Sequence, residues 1–201
     1  VRVPLNLAVP ALAVSLALVS GCAQKGSSDT ASSSAGATAG ETSATGSAAP
    51  DPASFPGDTQ PDTGTASDDA LLTVSTVRVA AQDGFDQVVF ELGGTGTPGW
   101  DVRYVEEAIE PGRGEPVELE GDAVLQVGIT GVGYPYDTGI EEFSSAGTVT
   151  ATGTGSVTEV DFLATFEGTT TAFIGTRSQA PFRVHLLQDP QRVVVEVAHA
   201  G

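Results

Sequence analysis

The chain holds a single cysteine, Cys22, and only two histidines, His185 and His199. One cysteine excludes an internal disulfide, and with it a thiolate zinc cage, which needs several Cys or a Cys/His mixture. Basic residues are scarce as well: eight Lys and Arg stand against 26 Asp and Glu, a formal net charge of -18 over 201 residues. A surface of this sign repels phosphate backbones and anionic head groups, which excludes nucleic acid as a partner and favours solubility. From Leu71 onward no window carries an apolar stripe at helical spacing between good caps. The glycine-rich run "GGTGTPG" is not followed by a helix, so it reads as a loop and not as a dinucleotide cradle.

What is present changes character twice along the chain. Val1 to Ser20 offers one basic residue, Arg2, and then an apolar stretch from Leu5 to Val19 broken only by Asn6, Pro10 and Ser15. That is short and punctuated for a membrane-spanning helix but suits the apolar region of an export signal. Val19-Ser20-Gly21-Cys22 follows at once. It resembles the lipobox of bacterial lipoproteins, in which an aliphatic and two small residues precede a cysteine. The resemblance implies a signal peptide over 1–21, cleavage before Cys22, and a diacylglyceryl group on its thiol. Each buried methylene contributes about 0.8 kcal/mol, so two or more acyl chains hold a protein on a bilayer where one lets it go.

From Ala23 to Asp69 Ser, Ala, Thr, Gly, Asp and Pro dominate, with Phe55 as the only large apolar residue. Such a stretch buries too little surface to offset its ordering entropy, so residues 22–70 are expected to form a disordered linker behind the lipidated cysteine. As a flexible coil it spans roughly 35–40 Å.

Residues 71–201 are close to the commonest domain size and large enough to bury one core. Val77, Val79 and Ala81 share a face of "TVRVAAQ", and Val88, Phe90 and Leu92 alternate in "QVVFEL", with "QDGFD" as the hairpin loop between them. Further strands are expected at Trp100 to Val105, Ala123 to Thr130, Gly155 to Phe166, Thr170 to Gly175, Pro181 to Leu187 and Arg192 to Ala198. Short strands with frequent glycine turns predict an all-β fold, an antiparallel β-sandwich or barrel. "QDGFDQVVFEL" is echoed by "QDPQRVVVEV", with Glu91 matching Glu196, which raises the question of an approximate twofold relation between two hairpins.

The stretches "GFDQVVFEL", "PGWDVRYVEE", "GDAVLQVGITGVGYPYDTG", "TFEGTTTAFIGTRSQAPFRV" and "DPQRVVVEV", taken in order and spacing, resemble the AMIN-like domain of actinobacterial lipoproteins and secreted proteins. The resemblance covers about Leu72 to His199 and implies an envelope-located β-sandwich. The AMIN domain itself is a non-catalytic module that targets proteins to peptidoglycan. No amidase domain accompanies it in this chain, and the resemblance supplies no site residues.

Hydrolytic chemistry finds little support in the residues. His199 sits three residues from the end, where fraying is expected, and His185 alternates with Val184 and Leu186 as a sheet-face residue, so no zinc set and no Ser/His/Asp pattern emerges. The acids of "EEAIEPGRGEPVELEGD" read as a solvated loop, and Asp83 and Asp86 of "DGFD" read as turn formers better than as calcium ligands. No catalytic residues, metal or cofactor are expected. Binding is the better prospect: Tyr134 and Tyr136 stand in the glycine-rich "GVGYPYDTG", where no core needs an aromatic, and Asp137 beside them can bond a hydroxyl. Trp100 and Tyr104 suit a core or sheet face, with Trp100 kept as a further candidate glycan contact. Two functions follow: a lipid-anchored protein of the outer face of the cytoplasmic membrane that binds peptidoglycan or another wall glycan, or a scaffold module that docks an envelope enzyme or transporter.

Overall fold

A computed structural model describes residues 55–144 and 148–199. The expected signal segment, Cys22 and the linker up to residue 54 lie outside the described residues. The elements in chain order are β1 (Asp62–Gly64), β2 (Leu71–Ala81), β3 (Phe85–Thr95), β4 (Gly99–Val105), β5 (Ala123–Thr130), α1 (Pro135–Thr138), β6 (Val149–Thr150), β7 (Val157–Phe166), β8 (Thr169–Thr176), β9 (Phe182–Leu187) and β10 (Gln191–Ala198). They form two antiparallel sheets, a four-stranded one in the order β2-β3-β10-β9 and a six-stranded one in the order β1-β4-β5-β8-β7-β6. The fold is the β-sandwich that the strand pattern predicted.

Alternation builds the core directly. Val88, Phe90 and Leu92 of β3 and Val193, Val195 and Val197 of β10 point inward from one sheet, and Val102, Leu125, Val127, Ile129, Val160, Ala172 and Ile174 meet them from the other. Full burial of one such side chain contributes about 1.5–3 kcal/mol. Gln82 N–H donates to the Phe85 carbonyl at 2.8 Å, so the "QDGFD" segment closes the β2–β3 hairpin as expected.

The sequence echo has a structural counterpart. β3 and β10 lie side by side, with Val89 opposite Val194, Gln87 opposite Glu196 and Glu91 opposite Arg192. A half-turn about the Val89–Val194 pair carries Glu91 onto Glu196, the correspondence seen in the sequence, and carries outer strand β2 onto outer strand β9. The two hairpins are thus related by a local twofold axis through the four-stranded sheet.

Three expectations need correction. The folded part does not begin at Leu71, because residues 55–70 belong to it: β1 pairs with β4, and Asp58 bridges Phe182 of β9. The order there comes from polar bonds, which composition does not reveal. Asp62 accepts the Trp100 indole N–H and the Val184 backbone N–H, both at 3.0 Å, and so joins the two sheets through one carboxylate. Phe55 adds a ring contact with Phe85, centroids 6.0 Å apart, and the Arg183 guanidinium lies 5.1 Å from its centre.

The acidic segment 106–122 is a loop, but not a merely solvated one. Phe173 occupies an outward position of β8, opposite Gln126 and Asp161, and is nevertheless fully buried. The loop folds back across this face: Glu120 N–H donates to Glu159 Oε1 at 2.6 Å, Thr158 Oγ1 donates to the Glu120 carbonyl, and Ala108 is buried. Burial, with the Glu110 charge nearby, raises the Asp161 carboxyl above its ordinary range.

His199, finally, does not fray. Its backbone N–H donates to the Gly84 carbonyl at 2.9 Å, and its Nε2 lies 2.9 Å from Asp86 Oδ1.

Candidate functional site

Tyr134 and Tyr136 are presented by the segment that follows β5 and docks on the outer edge of β2. Leu72 N–H donates to the Gly131 carbonyl and Gly133 N–H donates to that of Leu72, while Phe143 N–H donates to the Val74 carbonyl at 2.8 Å. Gly131 is required here: its φ is +77°, and a Cβ would lie 2.7 Å from the Ala70 methyl. Pro135 opens the single-turn α1, and Gly139, at φ +71°, closes it by donating its N–H to the Pro135 carbonyl. The Thr138 and Thr73 hydroxyls share a hydrogen bond of 2.7 Å, which fixes the turn on the sheet.

The two tyrosine rings stack on each other, centroids 5.3 Å apart and planes 14° from parallel. Tyr134 is held from below, its hydroxyl accepting the Glu167 backbone N–H at 3.3 Å in the β7–β8 turn. Tyr136 is 80% exposed, the most open of the large side chains that protrude from this surface. Partial desolvation, and then the negative charge of Asp137, raise its phenol above the ordinary value.

Beside this segment a groove of about 560 Å³ runs over the outward face of β4, β5 and β8. Its walls are Asp101, Arg103, Val105, Gln126, Thr130 and Thr169, and Gly128 leaves its floor open. Arg103 Nε donates to Asp101 Oδ1 at 2.6 Å, so the charged pair is internally neutralised. Thr130 and Thr169 face each other across β5 and β8 at the end where the chain leaves for the tyrosines. The groove therefore offers amide, hydroxyl and guanidinium groups along a strip that ends two residues from Glu167, the partner of Tyr134.

Of the four expected contacts, Tyr134, Tyr136 and Asp137 come together at the surface. Trp100 does not join them. It lies on the core side of β4, packed against the hydrophobic core, with its ring over Gly64 and its N–H on Asp62. The groove residues were missed in the sequence, although the polar side chains alternating with Val102 on β4 were a usable signal.

At the opposite end of the strands sits Asp86, which the turn reading undervalued. It is fully buried, and its carboxylate accepts the backbone N–H groups of Gly155, Ser156 and Val157 at 3.1, 2.6 and 2.8 Å, besides its contact with His199. Burial pushes its pKa up, but the bonds from Ser156, Val157, His199 and Gly155 together outweigh it and leave the carboxyl below its ordinary value. Ser156 donates its hydroxyl to the Ala198 carbonyl at 2.6 Å and is itself buried. The Ser, His and Asp gathered here are thus directed inward, as a fastening between the sheets. Among the described residues, no group of three or more His, Cys, Asp or Glu converges on a common metal position.

The sandwich thus presents an exposed aromatic stack and an open polar groove at its surface. The family is shown by sequence: residues 72–199 match the model of the AMIN-like domain, and the chain belongs to that family. Comparison with curated proteins and with solved structures gives no match. Family membership carries with it the expectation of a targeting module of the cell envelope.

Proposed function

We propose that this protein is a lipid-anchored component of the cell envelope, tethered through Cys22, whose AMIN-like sandwich binds peptidoglycan or another wall glycan without catalysis. The observation that carries the reading is the Tyr134–Tyr136 stack, open to solvent on a domain of this family and next to the groove lined by Gln126, Thr130 and Thr169. Flat aromatic faces stack on the apolar faces of pyranose rings, and amide and hydroxyl groups alongside take up sugar hydroxyls. The Val19-Ser20-Gly21-Cys22 motif behind an apolar run supports the anchor. The intervening Ser/Ala/Gly/Thr-rich chain gives the domain reach from the membrane to the wall.

Two measurements test this reading. The full chain is expected to co-sediment with purified wall sacculi over a range of salt concentrations, and Tyr136→Ala to remain in the supernatant. Absence of wild-type sedimentation overturns the glycan reading. Intact mass is expected to show a lipid-sized increment that Cys22→Ala lacks, with the variant released to the medium. An unmodified wild-type chain overturns the anchor.

A further inference from the structure

The tyrosine end of the sandwich has a charge character sharper than that of the protein as a whole. The segments that converge there are residues 66–71, which pack on Gly131 and Gly133, the glycine-rich end of β3 over 93–97, the tyrosine segment 131–144, and the β7–β8 turn 166–169. They carry Asp68, Asp69, Asp137, Glu141, Glu142 and Glu167 and no Lys, Arg or His; the adjoining loop, whose Gly112 packs on Phe166, adds Arg113, which is paired with Glu110. Two of the six acids have side-chain partners: Asp69 accepts the Ser67 hydroxyl at 2.6 Å, and Glu142 accepts that of Thr165 at 2.5 Å. Neither partner neutralises charge. At the centre of this field stands a ring that is 80% exposed and stacked on only one side.

An aromatic face attracts a cation through its quadrupole, and surrounding carboxylates add to the attraction. The same field repels a carboxylate or a phosphate. We infer that the Tyr136 site selects an amino sugar whose amine is free and protonated, over the same sugar with its amine acetylated. The inference rests on the glycan reading and names the chemistry that would be recognised within it. The sugar ring supplies the apolar face for Tyr136 and the ammonium group supplies the charge for Asp137 and its neighbours. The groove, with Arg103 already paired to Asp101, is left for uncharged groups farther along the chain of sugars.

A matched pair of probes tests this: a β-1,4-linked glucosamine tetrasaccharide and the corresponding N-acetylglucosamine tetrasaccharide, titrated calorimetrically into the full chain at mildly acidic pH, where the amine is protonated. The glucosamine form is expected to bind about tenfold more tightly, with the margin shrinking as salt is added. Tyr136→Ala is expected to abolish the preference, and Asp137→Asn combined with Glu141→Gln to reduce it while the folded state is unchanged.

Equal affinities, a preference for the acetylated form, or no binding of either overturns the inference. So does a preference that survives in Tyr136→Ala, since that is diffuse attraction between a polycation and an acidic protein. Displacement of the glucosamine probe by acetyl-lysine amide as readily as by free glucosamine moves the recognition to peptide amines and also overturns it. Chemical N-acetylation of sacculi separates the two levels of the reading. Unchanged sedimentation keeps glycan binding and removes the amine preference, whereas failure to sediment with either preparation removes glycan binding itself.

Discussion

The two ends of the sandwich use the same residue types for opposite purposes. At one end Asp86, Ser156 and His199 are turned inward, and three backbone N–H groups and an imidazole close around one carboxylate. At the other end Asp137 and Glu141 are exposed beside tyrosine rings that stack outward, in a segment braced on β2 and on the β7–β8 turn. A carboxylate or an aromatic in this fold is structural where its bonds are saturated from within. It is free to act where its support comes from behind.

That contrast is broken most severely by Asp86→Ala. The substitution removes the carboxylate to which the N–H groups of residues 155–157 donate, and loss of one side of a buried charged network costs about 3–5 kcal/mol. A large drop in the urea midpoint is expected, and a midpoint within experimental error of wild type removes the fastening role. The acid limb of stability sharpens the same point. Because the folded pKa of Asp86 is lowered, its contribution is complete above the unfolded aspartate value of about 3.9 and is lost as pH falls through the folded value. Asp86→Asn is expected to be destabilised at neutral pH and to lose less than wild type on acidification. Parallel acid limbs in urea titrations contradict the assignment.

Between the two ends, Asp62→Ala is expected to cost about 1–3 kcal/mol by freeing the Trp100 and Val184 donors. Trp100 is the sole tryptophan, so its fluorescence reports the change directly. An unchanged emission spectrum shows that the indole does not depend on this carboxylate. The smallest effect on stability belongs to Tyr136→Ala, within about 0.5 kcal/mol of wild type, as for an exposed residue away from the core. Its effect is expected in binding, read by sedimentation with sacculi, and not in stability. A variant that both unfolds and loses binding erases the distinction between the two ends.

Much of this architecture was legible because two-residue alternation is a direct print of one buried face. β5 was bounded correctly at Ala123 and Thr130, and the Val88–Phe90–Leu92 series marked the core without any structural input. What alternation does not print is a second covering layer. Phe173 lies on the outward side of β8 and is nevertheless buried, and residues 106–122 fold back over that face. Nor does it register order that comes from hydrogen bonds: β1 contains no apolar residue, and Asp62 secures it by bonding two distant donors. The site was half legible for the same reason. Tyr134 and Tyr136 stood out because a glycine-rich turn needs no aromatic, whereas Arg103, Gln126 and Thr130 are ordinary outward strand residues until β4, β5 and β8 lie side by side.

The path of residues 55–70 has a mechanical consequence. Phe55 begins it against Phe85, near Asp86, and Ala70 ends it against Gly131, below the tyrosines. A load applied between Phe55 and Tyr136 runs lengthwise, parallel to the strands. It falls in shear on the β1–β4 pairing and on the Asp58–Phe182 bridge together instead of peeling their hydrogen bonds one by one.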